Sequence, residues 1–454
     1  MSKLFGTDGI RGLANQYPMN AELAFNLGCA VGYYNRKKQN QNILIGRDTR
    51  ISGDMLESAL TAGLCSAGSN VLNAGIITTP AVGYLTKYFQ ANMGVVISAS
   101  HNPFYDNGIK LFQGDGFKLG RQQEIYIEEI LFQEKYKKVQ NTGKTIGRVI
   151  YLKEAKEVYL RYIIDTIPPN FQKPDYRIIL DCANGSASQI IPELFARLSM
   201  NFKTINDTPD GININQGCGS THLETLQEIV LKEQADLGLA FDGDADRVLA
   251  VDEKGQRIDG DQIMVIYTDA FLKEGRLGNN IIVTTHMSNL GFDETINELG
   301  GTVVRTDIGD KYVLKKMLDL NSWLGGEQSG HIVFLFHSPN GDGIITTFQL
   351  LDALNKHKER ISVQANRMKK YYQKLINYQI SNKKDLLQDA AFHKMSEEIQ
   401  NNLQKDGRVL VRFSGTENKV RILLESKEER NIQQCQKIIE DFFNKFTKLK
   451  ENNP

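Results

Sequence analysis

Residues 237–251 read Leu-Gly-Leu-Ala-Phe-Asp-Gly-Asp-Ala-Asp-Arg-Val-Leu-Ala-Val. Two apolar runs flank a short polar loop, which predicts a strand, a tight turn and a second strand, with carboxylates at the exit of the first strand. Like charges this close repel one another unless a cation neutralises them or water surrounds the loop. Oxygen ligands favour a hard cation, so Asp242, Asp244 and Asp246 predict a Mg²⁺ site. The alternative is a solvated acidic turn, but the closing arginine and the flanking apolar strands favour the metal.

The same alternation of apolar runs and helical patterns extends along the chain. Strand-like runs occur at residues 42–46, 94–98, 177–181 and 280–284, and residues 53–67 form an amphipathic helical pattern. Alternation of this kind predicts α/β units in series with largely parallel sheets. Composition changes near residues 144–148, 252–257 and 360–372 mark candidate domain boundaries. The segment after the last boundary is typical of a smaller α+β domain, which ends in a helix over residues 435–450 whose apolar side chains predict core packing.

The composition excludes several classes of protein. The 454 residues include 54 basic and 54 acidic side chains, so no net field attracts nucleic acid or an anionic membrane. No apolar run approaches the length of a membrane span, and the N-terminal residues lack the pattern of a signal peptide. The five cysteines are scattered and form no CxxC pair, which argues against a disulfide framework or a zinc site. We therefore expect a cytoplasmic protein.

A second cluster of chemical groups follows the apolar run that ends at Ile97. Residues 98–103 read Ser-Ala-Ser-His-Asn-Pro. Ligands collect at the carboxyl ends of strands in open α/β sheets, so a serine here is either a nucleophile or a capping residue of a turn. The chain lacks a GxSxG elbow, which leaves a serine hydrolase without support, whereas a serine that carries a phosphoryl group gives the aspartates a purpose. Lys110 is an acid–base candidate only if its pKa is strongly lowered, and otherwise a surface lysine.

Two further polar loops offer groups that suit a phosphorylated sugar. Residues 325–331 read Gly-Gly-Glu-Gln-Ser-Gly-His, and their side chains provide hydrogen bonds for sugar hydroxyls or an amine. Residues 412–418 read Arg-Phe-Ser-Gly-Thr-Glu-Asn and follow the strand-like residues 408–411. With Arg421 three residues further on, this loop is compatible with an anion-binding nest. Either loop alone is also compatible with an ordinary turn.

Together, these clusters and the opening Phe5-Gly6-Thr7-Asp8-Gly9-Ile10-Arg11-Gly12 resemble the α-D-phosphohexomutase superfamily, and within it the bacterial branch that acts on glucosamine phosphates. The resemblance runs from residue 5 to residue 416. It implies three consecutive α/β mixed-sheet domains and a C-terminal α+β domain that resembles the TATA-binding-protein fold, arranged around a central cleft. The implied limits are residues 1–150, 151–255, 256–365 and 366–454.

The resemblance also assigns roles to individual residues. It implies that Ser100 is phosphorylated and that one Mg²⁺ lies between an oxygen of this group and the three aspartates. The residues implied in charge stabilisation and acid–base catalysis are Arg11, Lys110, Arg247 and His331. The residues implied in binding sugar hydroxyls are Glu327 and Ser329. The residues implied in binding the second phosphate are Arg412, Ser414, Gly415, Thr416 and Arg421.

The implied reaction interconverts glucosamine 6-phosphate and glucosamine 1-phosphate through a phosphoserine and glucosamine 1,6-bisphosphate, which feeds UDP-N-acetylglucosamine and cell-wall precursor synthesis. A kinase or self-phosphorylation would first charge Ser100, in a monomer or a homodimer. Three alternatives stay open: a mutase of glucose or mannose phosphates, a Mg²⁺-dependent phosphatase, and a non-catalytic protein on the same fold. Gln328, where glucose and mannose mutases usually have methionine, favours the glucosamine branch. Asn418 and Asn340 depart from the usual pattern of the superfamily, in which proline and threonine are common at these positions.

Overall fold

The computed structural model describes residues 4–6, 8–38, 41–139, 141–380, 383–403, 406–413 and 419–451, which form four β-sheets. The chain divides into two compact units. One comprises Met1–Met287 and Leu299–Arg367, and the other comprises Ser288–Glu298 and Met368–Pro454. The predicted fold class, α/β domains in series followed by an α+β domain, is confirmed. No helix in the described part of the chain combines the length and the apolar composition that a bilayer span needs.

The first sheet is mixed and has the strand order β1-β5-β4-β2-β3-β6. Its strands are β1 (Ile10–Leu13), β2 (Asn42–Arg47), β3 (Asn70–Ile76), β4 (Met93–Ile97), β5 (Asp106–Gln113) and β6 (Val149–Tyr151). Its helices are α1 (Ala21–Asn35), α2 (Ser52–Ser66), α3 (Thr79–Tyr88) and α4 (Arg121–Phe132). Strands β2 and β4 are apolar and buried along most of their length, as parallel strands inside a sheet usually are. The predicted strands near residues 42–46 and 94–98 and the helix near 53–67 are thereby confirmed.

The second sheet carries the hairpin that the opening stretch predicts. Its strands are β7 (Ile178–Asp181), β8 (Phe202–Ile205), β9 (Leu237–Phe241), β10 (Val248–Asp252) and β11 (Arg257–Ile258), and its helices are α5 (Ala155–Thr166), α6 (Ile191–Arg197) and α7 (Glu224–Glu233). Strand β7 runs parallel to β8 and β9, whereas β9 and β10 pair antiparallel. Strand β6 crosses the predicted limit at residue 150 and β11 lies beyond residue 255, and the domain limits themselves stay predictions.

The third sheet has the order β13-β12-β14-β15. Its strands are β12 (Ile281–Thr285), β13 (Thr302–Thr306), β14 (Leu324–Gly326) and β15 (Ile332–Phe334). The helices of this part of the chain are α8 (Gly260–Lys273), α9 (Leu290–Glu298), α10 (Asp310–Leu320), α11 (Gly343–His357) and α12 (Ile361–Ala365). The antiparallel pair β14 and β15 brackets the polar loop of residues 327–331.

The fourth sheet is antiparallel, with the order β16-β18-β17. Its strands are β16 (Tyr372–Gln379), β17 (Gly407–Phe413) and β18 (Lys419–Ser426), and its helices are α13 (Lys383–Gln388), α14 (Ala390–Leu403) and α15 (Glu429–Glu451). Helix α15 begins six residues before the predicted start at residue 435. Ile439 and Phe443 are buried against Ile399 and Leu424, so the predicted core packing of this helix is confirmed.

Candidate active site

The loop between β9 and β10 brings three carboxylates together. The antiparallel pairing of Phe241 with Val248 closes a loop of six residues, 242–247. The backbone N–H of Arg247 donates to Asp242 Oδ1 at 3.1 Å, and Ala245 adopts a left-handed backbone with φ of 58°. As a result, carboxylate oxygens of Asp242, Asp244 and Asp246 lie within 4.8 Å of one another, and all three residues are buried.

The three carboxylates differ in their electrostatic surroundings. Burial and the neighbouring Asp246 and Asp244 raise the pKa of Asp242 well above its ordinary value. Burial also opposes ionisation of Asp246, but His331, Lys110 and Arg247 hold its pKa well below the ordinary value. Asp242 is therefore the carboxylate of this triad that most lacks a balancing positive charge.

The donor set of the triad fits a hard divalent cation. Asp244 Oδ1 is buried and has no hydrogen-bond partner among the described residues. A buried, unsatisfied carboxylate oxygen is costly unless an ion or a proton compensates it. Oxygen donors alone are the set that Mg²⁺ prefers, so the predicted metal is compatible with the residues present.

Thr79 is a residue of this site that the sequence did not single out. Its hydroxyl donates to Asp244 Oδ2 at 2.6 Å, and its backbone N–H donates to the Asp244 carbonyl oxygen at 3.0 Å. Thr79 is the first residue of α3, where it is followed by proline at a position typical of a helix start. That signal predicts a helix boundary but gives no indication of a contact with a residue 165 positions away.

Ser100 lies directly beside the triad, as predicted. Strand β4 ends at Ile97, and the following loop places the Ser100 hydroxyl 2.6 Å from Asp242 Oδ2, to which it donates. Ser100 is buried, with φ of 53°, and its Oγ also lies 3.3 Å from His101 Nδ1. The alternative of a simple capping serine is disfavoured by this contact, because the hydroxyl contacts a carboxylate from another sheet.

Lys110 is buried, which excludes the alternative of a surface lysine. Its ammonium group lies 3.1 Å from a carboxylate oxygen of Asp8, 3.1 Å from one of Asp244 and 3.7 Å from one of Asp246. Burial alone would lower the pKa of Lys110, but these carboxylates raise it above the ordinary value. These contacts favour Lys110 as a positive charge over an acid–base role, which requires a lowered pKa.

Arg11 belongs to an ion-pair network that extends from Lys110. It pairs with Asp8, and its guanidinium lies 3.5 Å from Asn102 Oδ1 in the serine loop, which comprises residues 98–106. Lys118 donates to Asp8 Oδ1 at 2.7 Å and also pairs with Asp310 at the start of α10. Asp8, Lys118 and Asp310 were not predicted as site residues, although Asp8 lies within the opening motif. Thr7 of that motif lies outside the described residues.

His331, Glu327 and Ser329 come from the loop between β14 and β15. His331 lies between two carboxylates, with Nδ1 3.5 Å from Asp246 Oδ1 and Nε2 3.7 Å from Asp310 Oδ2. Burial alone would lower the pKa of His331, but these carboxylates raise it above its ordinary value. Glu327 accepts a hydrogen bond from the backbone N–H of Gly309 at 3.2 Å, and the Ser329 hydroxyl lies 3.4 Å from its other oxygen.

Three arginines and one asparagine complete the predicted set in the described chain. Arg247 Nε lies 3.8 Å from Asp246 Oδ1, so this guanidinium belongs to the site. Arg412 and Arg421 are directly opposite each other in the pairing of β17 with β18. Directly opposite residues project from the same face of a sheet, so these two guanidinium groups offer donors for one anion. Asn340, where the superfamily commonly has threonine, is buried. Its side chain donates to the Gly116 carbonyl oxygen at 2.8 Å. Ser414, Gly415, Thr416 and Asn418 lie outside the described residues.

Comparisons with known proteins place this geometry in a family. The chain matches the models for phosphoglucomutase/phosphomannomutase α/β/α domains I, II and III over residues 2–138, 151–255 and 259–371. It also matches the model for the C-terminal domain of this family over residues 375–442.

A phosphoglucosamine mutase from Acetivibrio thermocellus is 47% identical over 449 residues, covering 97% of this chain and 99% of the relative. The chain belongs to the phosphoglucosamine mutase branch of the phosphoglucomutase/phosphomannomutase family. A second phosphoglucosamine mutase, from Staphylococcus epidermidis, is 45% identical over 448 residues, with the same coverage of 97% and 99%. The chain is thus an isomerase of the phosphohexomutase type.

Solved structures agree with this fold. A phosphoglucomutase/phosphomannomutase family protein from Burkholderia thailandensis has a TM-score of 0.78 at 21% identity and covers 97% of both chains. The N-acetylphosphoglucosamine mutase of Aspergillus fumigatus, in complex with GlcNAc-6P and magnesium, has a TM-score of 0.66 at 18% identity, with 96% of this chain and 95% of that chain covered. At these identities, the likeness extends to the fold alone.

Proposed function

We propose that this phosphoglucosamine mutase family member interconverts glucosamine 6-phosphate and glucosamine 1-phosphate, with Ser100 as the carrier of the phosphoryl group. The observation that carries the proposal is the contact of 2.6 Å between Ser100 Oγ and Asp242 inside the buried triad of aspartates. A serine in this position is within reach of both a metal ion and a sugar phosphate. The sugar preference is supported by the relatives, which are named phosphoglucosamine mutase.

In the proposed reaction, a hydroxyl oxygen of the sugar attacks the phosphorus of phospho-Ser100. A new bond forms between that oxygen and phosphorus, the bond to Ser100 Oγ breaks, and the product is glucosamine 1,6-bisphosphate. The other phosphate of this intermediate then transfers back to Ser100 and leaves the isomeric monophosphate. Mg²⁺, held by Asp242, Asp244, Asp246 and an oxygen of phospho-Ser100, would neutralise negative charge on the group in transfer.

Fixed cations of the chain serve the same purpose. Lys110 and Arg247 lie against the triad, and Arg11 lies beside the serine loop. Their positive charges stabilise the negative charge on the oxygens of the phosphoryl group, and they require no reorganisation as it moves. Because the carboxylates around Lys110 raise its pKa, we assign it this electrostatic role and not proton transfer.

We assign proton transfer with the sugar hydroxyl to His331. Asp246 and Asp310 lie on opposite sides of its ring and raise its pKa, which makes the ring a stronger base. A neutral imidazole in this position would accept the proton of the attacking sugar hydroxyl in the first half-reaction and return it in the second. Glu327 and Ser329, in the same loop, are the proposed partners of the sugar hydroxyls.

The phosphate that is not reacting needs a separate binding loop. We assign this role to Arg412, Ser414, Gly415, Thr416 and Arg421. The pairing of two arginines across β17 and β18 supports the assignment, since guanidinium groups bind phosphate oxygens bidentately. A bisphosphate that turns over between the two half-reactions would present each phosphate in turn to Ser100.

The remaining elements of the proposal concern the cellular setting. The five cysteines are free thiols in the structure, which supports a reducing cytoplasm. A kinase or self-phosphorylation first charges Ser100, and the active form is a monomer or a homodimer.

Intact-mass spectrometry tests the central assignment. Purified protein should carry the mass of one phosphoryl group that phosphatase removes, and Ser100→Ala should lack it and lose nearly all turnover. Ser58→Ala is the matched control, because the Ser58 hydroxyl donates only to a carbonyl oxygen within an exposed part of α2. Near-normal turnover in Ser100→Ala would overturn the assignment.

A further inference from the structure

Arg50 is fully buried beneath the serine loop, and none of the roles above involves it. It follows β2, in the short segment before α2. Its Nε donates to Asp48 Oδ2 at 2.9 Å, and Asp48 is equally buried. Its terminal nitrogens donate to four backbone carbonyl oxygens of the serine loop, those of Ser100, Asn102, Pro103 and Asp106.

This inventory of contacts defines what Arg50 can do. A guanidinium has five N–H donors, and the carboxylate and the four carbonyls use all five. The charge of Arg50 is balanced by Asp48 at the same depth. Arg50 therefore has no donor left for a phosphate and can act on the reaction only through the backbone of the loop.

Asn215 holds the same loop from the part of the chain that contains the second sheet. Its side-chain amide donates to the carbonyl oxygens of Ser100 at 2.9 Å and of Asn102 at 3.0 Å. The aspartate loop of residues 242–247 packs closely here. A Cβ added at Gly243 would lie 2.7 Å from the Ser100 carbonyl oxygen and 2.9 Å from Asn215 Nδ2. The Ser100 carbonyl oxygen thus accepts hydrogen bonds from both Arg50 and Asn215.

The backbone of Ser100 needs such support. Its φ of 53° lies in the left-handed region, which is unfavourable for a residue with a side chain unless the surroundings hold it there. Its N–H donates to Ser98 Oγ at 2.9 Å, so both of its backbone polar groups are fixed. With the backbone fixed, the side chain projects to Asp242 at 2.6 Å.

We propose that Arg50 and Asn215 are positioning residues for phosphoryl transfer. They hold the Ser100 carbonyl so that Oγ stays directed at the aspartate triad in both half-reactions, when the serine carries the phosphoryl group and when it does not. The inference rests on the proposed role of Ser100. It adds that the geometry of the nucleophile depends on two side chains that never contact the phosphate.

Two variants test the proposal. Arg50→Lys keeps the charge opposite Asp48 but has three donors instead of five, and Asn215→Gly removes both amide contacts and tolerates the φ of 57° at this position. Asn321→Gly is the matched control, since Asn321 also has a left-handed backbone, at the end of α10. If Arg50→Lys does not fold, Asn215→Gly decides the question.

We expect both variants to lower kcat about tenfold or more with KM for glucosamine 6-phosphate within about twofold, as lost hydrogen bonds that act only on the reacting group would do. The rate at which a hexose 1,6-bisphosphate phosphorylates Ser100, measured by intact-mass spectrometry, should fall by the same factor as kcat. Hydrogen–deuterium exchange should accelerate in the peptide of residues 98–106. The control should match the wild type in all three measurements.

The outcomes separate the two hypotheses. If the wild type takes up no phosphoryl group on Ser100, the proposed function fails. If the wild type is phosphorylated and Asn215→Gly equals it in kcat per phosphorylated site, with only a lower melting temperature, the two residues are merely structural and the inference is wrong.

Discussion

Replacing Lys110 by methionine tests the assignment of this residue as the buried counter-charge of the aspartate triad. Methionine keeps most of the apolar length of the side chain but removes an ammonium group that lies 3.1 Å from Asp8, 3.1 Å from Asp244 and 3.7 Å from Asp246. The lysine side chain is 2% exposed, so water does not replace the lost charge. Removing one partner of a buried ion pair costs about 3–5 kcal/mol, because the other partner stays buried without compensation. We expect a loss of about 3 kcal/mol in the free energy of unfolding, measured with chelator present.

Mg²⁺ should restore part of this stability. A ligand that binds only the folded state at a hundredfold excess over its Kd adds about 2.7 kcal/mol. The variant should gain more from Mg²⁺ than the wild type does, since its triad has lost a competing cation. Turnover should stay low even with Mg²⁺, by about 10²- to 10³-fold, because the fixed charge beside the phosphoryl group is gone.

Urea unfolding with and without Mg²⁺ measures these differences. Lys137→Met is the matched control, since Lys137 pairs with Glu134 at 2.7 Å but is 60% exposed. An exposed pair contributes less than about 1 kcal/mol, with no dependence on Mg²⁺ expected. Equal stability of Lys110→Met and the wild type in chelator would refute the assignment of Lys110 as the buried counter-charge of the triad.

Three further predictions follow from the proposed function. Chelation should stop turnover, and Mg²⁺ should restore it. Asp244→Asn should lower the rate and make it depend less on Mg²⁺. Full activity in excess chelator would contradict the metal assignment. Arg421→Ala should raise KM and lower the rate about tenfold or more, with Arg421→Lys in between and Ser100 still phosphorylated; an unchanged KM would show that the phosphate loop is misassigned. Glucosamine phosphates should give a higher kcat/KM than glucose or mannose phosphates, and a preference for mannose 1-phosphate would refute only the sugar assignment.

The sequence predicted those parts of the site that depend on neighbours in the chain. Asp242, Asp244 and Asp246 share one short loop between apolar strands, so their convergence follows from the hairpin alone. Ser100 follows a buried strand, where side chains reach the edge of the sheet. The structure brings these two positions into contact, and their catalytic roles stay predictions.

The parts that depend on distant partners were not accessible in this way. Lys110 lies in β5, a strand buried along six consecutive residues, so no alternation of apolar and polar residues marks its surroundings. Its partner Asp8 is brought near by the pairing of β1 with β5, and Asp244 comes from the second sheet. The sequence alone gives Lys110 either an exposed position or an acid–base role with a lowered pKa. The contacts with distant carboxylates instead make it a buried cation with a raised pKa.

The charges around Ser100 suggest why metal and phosphoryl group belong together. The ion-pair network and the triad comprise carboxylates of Asp8, Asp242, Asp244, Asp246 and Asp310, and cations of Arg11, Lys110, Lys118 and Arg247. With His331 neutral and the other groups ionised, the carboxylates exceed the cations by one charge. Burial and the neighbouring Asp246 and Asp244 raise the pKa of Asp242, which accepts the hydrogen bond of the Ser100 hydroxyl. A divalent ion and a dianionic phosphoryl group add no net charge together, whereas either one alone shifts the balance by about two charges. We therefore expect each to stabilise the other in the site, so that by linkage Mg²⁺ should bind the phosphorylated protein more tightly than the unphosphorylated one.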